Sequence, residues 1–423
     1  MVEVGKIIKK LRKEKKLTLV DLANDKMSPA MISMIENGKS QPSINTLKYI
    51  AKQLDVETSV LLGELPKEEL RKLINKYEQI LNQWKHKEDI NNALTKIESI
   101  LPSLTNDYES ARIYELYVRF MIIYYQFFKE DFNDLRNNNW ELYTNKALHI
   151  YSELQIENRT LKMKFLIAQI EHLNANYQKA MQLIEDCLKI VKDQYTVENI
   201  PTIINLMILR VHNYTAIGDF KSSLNYLQEA IKFSKDSFML YKFFDLNNLG
   251  ALISYNENME DEAKEYIKSI EQYYNLVKNP EVYIDKQLAL SHYTEFFENK
   301  PKHALEMINE LETSSLVERD FYEQEINFIK DQKARCYTKL NKPEKAIEIF
   351  NELDHWNPEN YHPIDFAVQQ IYHTYKAICY LKLDDYDKAL QSASHSVNTL
   401  RGYPHTKYYH YSKQVLDEIR RSK

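Results

Sequence analysis

Apolar residues recur every three or four positions through most of this chain, which is the spacing of one face of an α-helix. The 423 residues include only 6 glycines. Helices and the short connections between them need little glycine, whereas tight turns and phosphate-binding loops depend on it. The pattern and the composition therefore both predict an all-α protein.

Residues 1–64 carry the pattern of five short helices joined by polar turns. The first is predicted over about residues 2–15 and the fifth over about residues 57–62. Two short helices joined by a tight turn inside a small basic domain are the layout of a helix-turn-helix. The positions predicted to face inward are Val4, Ile8, Leu11, Leu19, Leu22, Ala23, Leu47, Ile50, Ala51 and Leu54.

Capping residues mark where these helices begin and end. Thr18, Ser28 and Ser43 each precede an apolar helical pattern, so they are predicted to cap the second, third and fourth helices. Pro29 follows Ser28 at the first helical position, which is the place that favours proline. Gly38 is predicted to end the third helix in a left-handed conformation.

From about residue 70 onward the chain repeats a unit of two helices. Each copy has a polar turn, then an aromatic residue or proline, then a small or apolar residue that opens the second helix, as in "IGDFKSSLNYL" (217–227) and "KLDDYDKALQSA" (382–393). A regular period slightly above 40 residues is typical of an α-solenoid, here of about eight helical hairpins. The shared small position falls at Ala93, Leu135, Ala180, Ser223, Ala263, Ala304, Ala346 and Ala389.

The net charge of −5 is unevenly distributed along the chain. Residues 1–64 contain 11 Lys or Arg and 8 Asp or Glu, a net +3, so the remaining residues carry a net −8. Residues 1–64 (the head) are thus basic, and the rest of the chain (the body) is acidic. This distribution indicates that only the head binds a polyanion. Within the cluster Lys6, Lys9, Lys10, Arg12, Lys13, Lys15 and Lys16, we expect most side chains to be solvated and a minority to reach phosphate.

The remaining composition favours a cytoplasmic protein without membrane contact. The three cysteines, Cys187, Cys336 and Cys379, are scattered and odd in number, which fits a reducing compartment. The N-terminus runs into charge, so no signal peptide is expected. The most apolar stretch, "FMIIYYQFF" at 120–128, is far shorter than the roughly 20 residues of a membrane span.

No catalytic motif is found, and we predict a protein that is not an enzyme and has no cofactor. HExxH, GxSxG, Walker and paired CxxC patterns are all missing from the sequence. The segment "HWNPENYH" (355–362) brings two histidines near an acidic residue. A loop packed around Trp356 explains this segment better than a metal site, so no metal is expected.

The segment "LRKEKKLTLVDLA…SPAMISMIENGKSQPSINTLKYIAKQLDV" resembles the lambda-repressor and Xre type of helix-turn-helix domain. The resemblance implies that the third helix lies in the major groove of DNA. It departs from the family at Leu19, where family members commonly have a Gln that makes a positioning contact with phosphate. The residues implied near base edges are Ser28, Pro29, Ala30, Ser33 and Met34, and those implied near phosphate are Lys39, Ser40, Ser43 and Asn45.

The repeated body resembles the tetratricopeptide repeat, most openly in "LNNLGALISY…MEDEAKEYI", although its period exceeds the usual one. Armadillo and HEAT repeats match the period, but the turn sequence favours the tetratricopeptide type. Such a solenoid offers a concave groove in which an Asn side chain can pair with a peptide backbone, and Asn248 is the leading candidate. The predicted peptide-binding residues are Tyr124, Asn205, His212, Asn247, Asn248, Tyr293, Gln332 and Arg335.

As a whole, the chain resembles the RRNPP-type peptide-pheromone receptor regulators of Gram-positive bacteria, particularly the longer NprR-like members. The predicted organisation is a DNA-binding domain at 1–64, a linker at 65–69 and a peptide-sensing, oligomerising repeat domain at 70–423. The resemblance implies a homodimer or higher oligomer on pseudo-palindromic double-stranded DNA, switched by a short signalling peptide in a quorum-sensing response.

Two other interpretations of the same sequence stay open. The body resembles NprR-like proteins closely enough that it could act as an adaptor, sequestering a phosphorelay response regulator on helices within 70–170. Alternatively, the chain is a repressor of a phage or mobile element that responds to no ligand.

Overall fold

The computed structural model describes residues 2–63, 65–84, 86–128, 140–191, 195–317, 323–353 and 363–422. Every regular element within these ranges is helical, so the predicted all-α class is confirmed. None of the described helices is long and apolar enough to cross a membrane. The helices of the head are α1 Val2–Glu14, α2 Leu19–Ala23, α3 Pro29–Glu36, α4 Ile44–Gln53 and α5 Thr58–Leu61.

The predicted caps of the head are confirmed. Thr18 forms a capping box with Asp21 at the start of α2. The Ser28 hydroxyl accepts a hydrogen bond from the backbone N–H of Met31, and Ser43 does the same for α4. Gly38 follows α3 at φ 70°, a conformation that costs glycine nothing. These local interactions fix where the third helix begins and ends.

The core of the head is built from the apolar faces of all five helices. Ile8, Leu22 and Ile50 are fully buried in this core. Helix α1 crosses α3 so closely that a β-carbon added at Gly5 would lie 2.1 Å from the carbonyl oxygen of Ile35. Only glycine allows this approach, so Gly5 helps to set the position of α3.

The chain divides into two compact units, one of Met1–Ile122 with Asn137–Thr160 and the other of Ile123–Arg136 with Leu161–Lys423. In the first unit, the buried Glu115 carboxylate binds Arg112, Tyr151 and Arg159 at 2.6, 2.9 and 3.1 Å. The helices that follow the head are α6 Lys67–Gln83, α7 Lys87–Ile100, α8 Tyr108–Phe128, α9 Trp140–Glu153, α10 Glu157–Leu173 and α11 Tyr177–Val191.

The second unit continues the helical hairpins to the end of the chain. It holds most of α10 and all of α11. The helices that follow in this unit are α12 Ile200–Ala216, α13 Phe220–Asp236, α14 Phe243–Asn256, α15 Glu260–Val277, α16 Pro280–Phe296, α17 Pro301–Thr313, α18 Glu323–Lys339, α19 Pro343–Glu352, α20 Pro363–Gln370, α21 Tyr372–Lys382, α22 Tyr386–Thr399 and α23 Lys407–Arg421.

The small residue of each repeat lies where its two helices meet. Those within the described ranges are buried, with exposed fractions of 2% or less, because any larger side chain would separate the helices. Leu135 and the segment 355–362 lie outside the described residues. The buried positions are Ala93, Ala180, Ser223, Ala263, Ala304, Ala346 and Ala389.

The first helices of successive hairpins form an inner layer in the second unit. Helix α14 contacts α16, α16 contacts α18, and α12 also meets α20, so this layer curves back toward its own start. The segment before α23 crosses the ends of these helices. There, the side chain of Asn256 accepts a hydrogen bond of 2.9 Å from the backbone N–H of Lys407, and the ring of Phe220 contacts that of His405.

Candidate DNA interface and ligand groove

Helix α3 presents a small, nearly uncharged face to solvent. Ser28, Pro29 and Ala30 are exposed, and Met34 is 45% exposed, while Ser33 is half-buried. The opposite face, which includes Ile32 and Ile35, is buried in the head core. The five residues implied near base edges therefore share the outward side of this helix.

A buried ion pair supports α3 from behind. The Arg12 guanidinium donates to both carboxylate oxygens of Glu36, at 2.6 and 2.9 Å, and to the backbone oxygen of Leu17 at 2.9 Å. This pairing raises the pKa of Arg12 through its hydrogen bond to Glu36. Arg12 thus belongs to the structure of the head, unlike Lys13, which is exposed.

The start of α4 offers an anion-binding surface beside α3. Ser43 and Asn45 are exposed there, and Lys39 in the preceding turn is exposed as well, with Ser40 half-buried. The first backbone N–H groups of a helix lack partners within the helix and favour negative charge. Leu19, the residue that departs from the family, is half-buried against the core of the head.

Two of the predicted peptide-binding residues line one cavity in the inner layer. Asn248 of α14 and Tyr293 of α16 both border a cavity of about 280 Å³. The Tyr293 hydroxyl donates to the side-chain oxygen of Asn248 at 2.6 Å and to its backbone oxygen at 3.0 Å. Asn248 is half-buried, so its amide remains within reach of a ligand.

Two further predicted residues are half-buried but do not line this cavity. Asn205 of α12 donates to the hydroxyl of Tyr241 at 3.4 Å. Tyr124 of α8 contacts the ring of its neighbour Tyr125.

The other four predicted groove residues pack between helices. Asn247 donates to the backbone oxygen of Phe243 at 2.7 Å within α14. Arg335 and Gln332 have no exposed surface, and His212 is 7% exposed. In this conformation their side chains are engaged in or enclosed by protein, so we do not carry them into the proposed ligand site.

Sequence reasoning missed two acidic residues of the cavity, Asp285 of α16 and Asp365 of α20. The side chain of Asp285 is exposed to solvent, but crowding by the surrounding helices, followed by the charges of Asp245 and Glu325, raises its pKa to about 7. Burial and then Asp245 raise the pKa of Asp365 to about 7 as well. The sequence gives a partial signal for them, because each is an acidic residue near the beginning of the first helix of a hairpin.

A buried polar network lies directly behind the cavity. His292 lines the cavity, and its Nδ1 lies 2.7 Å from Arg335 while its Nε2 lies 2.8 Å from the Tyr408 hydroxyl. Burial and then the charge of Arg335 lower the pKa of His292 well below its usual value, so the ring is neutral. An arginine can only donate, so Nδ1 is the acceptor and Nε2 carries the hydrogen.

The same network contains a buried carboxylate at its centre. Arg335 donates to Glu295 at 2.9 Å, and the Tyr375 hydroxyl donates to the same carboxylate at 2.7 Å. A contact in the cavity is therefore linked, through His292 and Arg335, to α18, α21 and α23. No group of side chains suited to a metal ion occurs among the residues that the structure describes.

Comparison with known families gives two matches. Residues 8–61 match the family described as helix-turn-helix, and residues 330–360 match the tetratricopeptide repeat. These matches agree with the Xre-type head and the tetratricopeptide-like body expected from the sequence. The immunity repressor protein of Bacillus phage phi105 is 36% identical over 100 residues, which cover 23% of this chain and 68% of that protein.

Solved structures with similar folds were also found. The Bacillus thuringiensis PlcR complex with the peptide PapR7 and DNA is 17% identical, with a TM-score of 0.38, over 66% of this chain and 96% of that chain. The complex of NprR with its cognate peptide NprX is 16% identical, with a TM-score of 0.44, over 69% of this chain and 82% of that chain.

Proposed function

This chain belongs to the helix-turn-helix family of DNA-binding proteins, and from that premise we propose that it is a transcriptional regulator switched by a short peptide. In this proposal residues 1–64 bind operator DNA, and residues 70–423 hold the peptide and join two copies of the chain. The observation that carries the DNA part is the outward face of α3. Its caps hold the helix in place, and its apolar partners bury the other side.

The chemistry of that face sets how DNA is read. Ala30 and Met34 offer methyl groups for thymine, while Ser28 and Ser33 offer hydroxyls that suit either base pair. No side chain among these can make a bidentate base contact. Direct readout by one head is therefore modest, and specificity draws on DNA shape and on two half-sites at a fixed spacing.

Peptide binding is supported by the cavity in the inner layer. Asn248 presents an amide of the kind that pairs with a peptide backbone, and Tyr293 holds it in place. Apolar side chains such as Leu288 and Phe328 line the same cavity. Polar and apolar side chains thus share the described lining about equally, and a peptide can meet both kinds of group.

The network behind the cavity provides a route to the rest of the repeat unit. A peptide that contacts His292 or Tyr293 would bind one arrangement of these helices better than another. Only such a difference in affinity can shift the equilibrium between two shapes. We propose that this shift changes the spacing of the two heads in a dimer and so changes operator affinity.

The test is a thermal-shift titration of the full chain with short peptides encoded by the host. We expect saturable stabilisation by one peptide, lost in Asn248→Ala and kept in Asn309→Ala. Asn309 is exposed on the second helix of a hairpin, so it serves as the matched control. Absence of any peptide response, together with a stable response-regulator complex, would favour the adaptor; absence of both would favour a ligand-independent repressor.

A further inference from the structure

Acidic residues lie near the beginning of the first helix in four successive hairpins. Asp245, Asp285, Glu325 and Asp365 lie 40 residues apart, on the first helices α14, α16, α18 and α20. Asn205 lies a further 40 residues earlier, on α12. The charges of Asp245 and Glu325 raise the pKa of Asp285, and the charge of Asp245 raises that of Asp365, so these carboxylates lie near one another on the inner layer of the second unit.

The cavity combines two of these carboxylates with apolar surface. Asp285 and Asp365 line it together with Leu252, Leu288 and Val368. None of its described lining residues is Lys or Arg, and His292 is neutral. Among the described lining residues, the side chains that can carry a charge are therefore carboxyl groups.

Most of the charged groups that act on Asp285 are carboxylates, and they repel its negative charge. Its carboxylate has no ion pair or hydrogen bond with any residue that the structure describes. The cation that acts on it, Lys242 just before α14, already binds Asp245 at 3.2 Å. A carboxylate in protein surroundings is stabilised by an opposite charge, so an entering cation would bind here favourably. The charged groups that act on Asp285 are Asp245 and Lys242 of α14, Glu281 of α16 and Glu325 of α18.

We infer that this cavity receives a positively charged group of the ligand, held between the carboxylates of Asp285 and Asp365. The inference rests on the proposed peptide function and specifies the chemistry of the peptide. The charged group is either a Lys or Arg side chain or a free N-terminal amine. For a side chain, the apolar walls at Leu252, Leu288 and Val368 fit the aliphatic stem while the charge meets the carboxylates.

Three mixtures of short randomised peptides test this inference on the full chain. The first is N-acetylated and contains one Lys or Arg per peptide. The second is identical except that norleucine or citrulline replaces the basic residue. The third has a free amine and no basic side chain. We expect the first or the third mixture to bind about tenfold more tightly than the second, as a charge-assisted hydrogen bond would give.

Two variants test whether Asp285 causes the preference for charged peptides. Asp285→Asn should remove most of the tenfold preference for charged over neutral peptides. Asp261→Asn is the matched control, since its carboxylate is fully exposed on the second helix α15, where it pairs with Lys264. This control should bind all three mixtures as the unaltered chain does.

The outcomes separate this inference from the proposed function. Equal binding of charged and neutral mixtures, unaffected by Asp285→Asn, would overturn the charge requirement and leave peptide binding intact. Failure of all three mixtures would overturn both. Stabilisation by magnesium chloride alone, abolished by Asp285→Asn, would make the cavity a simple cation site and would also overturn the inference.

Discussion

The Tyr293 hydroxyl lies 2.6 Å from the side-chain oxygen of Asn248, so one hydrogen bond joins two successive repeats at the rim of the cavity. Tyr293 is almost fully buried, whereas Asn248 is half-exposed to the cavity. The tyrosine therefore orients the amide that a peptide would meet. Ligand affinity and the packing of α14 on α16 should depend on the same bond.

The coupling between these two residues can be measured directly. Tyr293→Phe removes the hydroxyl, and we expect it to lower the free energy of unfolding by about 1 kcal/mol. A double-mutant cycle combines Tyr293→Phe with Asn248→Ala. In denaturant unfolding of the full chain, the free energies of unfolding should show a coupling of about 0.5–3 kcal/mol between the two residues. Strictly additive effects would contradict the bond.

The close crossing of α1 and α3 predicts a strong effect of Gly5→Ala. The added methyl group would meet the carbonyl of Ile35 at 2.1 Å, so we expect a loss of about 1–3 kcal/mol in the stability of the head. DNA affinity should fall with it, since α3 would move. Gly402→Ala is the control, because nothing lies within 4 Å of its added β-carbon. Thermal unfolding and DNA-binding assays of the two variants measure these effects.

Removal of Arg12 should unfold the head, although this residue stands within a cluster of solvated lysines. Arg12→Ala leaves the buried Glu36 carboxylate without its guanidinium partner, and breaking such a pair costs about 3–5 kcal/mol. Lys13→Ala should leave stability unchanged and at most reduce the salt dependence of DNA binding. Circular dichroism melting distinguishes them, and equal melting curves would place Arg12 among the surface charges.

The outward position of Ala30 predicts a change of DNA preference. Ala30→Gln introduces an amide that can make two hydrogen bonds to one adenine. The full-length variant should therefore select different base pairs from a pool of random duplexes. Lys52→Gln, at the far end of α4, is the control and should select the original sequence. An unaltered selection by Ala30→Gln would show that this position does not approach the bases.

The acidic cavity predicts two opposite dependences on pH. The folded chain raises the pKa of Asp285 to about 7 from its usual value near 4. Since the folded state then holds the proton more tightly, stability falls as pH rises through 7 and increases as pH falls from 8 to 6. Affinity for a cationic peptide should instead weaken as the pH falls from 8 to 6, because protonation of Asp285 removes the negative charge that attracts the peptide.

Asp285→Asn provides the check on this pH dependence. The variant cannot ionise at this position, so its thermal midpoint at pH 8 should rise and its change between pH 8 and pH 6 should shrink. Asp261→Asn should keep the full pH dependence, since that carboxylate is exposed on α15. An identical pH dependence in both variants would assign the titration to other groups.

The sequence alone determined the local and periodic features of this protein. The caps Thr18, Ser28 and Ser43 act on backbone groups within three residues, so their effect can be predicted without knowing the fold. The small residues of the repeats follow from contacts between sequence neighbours. For that reason the helix-turn-helix head and the repeated hairpins were correctly predicted.

Only the tertiary structure decided which polar residues face the cavity. Asn248 and Arg335 looked alike as groove candidates, yet one lines the cavity and the other is fully buried against Glu295. Their difference depends on the curvature that brings α20 back to α12, and with it Asp365 near Asp245. Curvature accumulates from small rotations between many helices, and no single segment of the sequence specifies it.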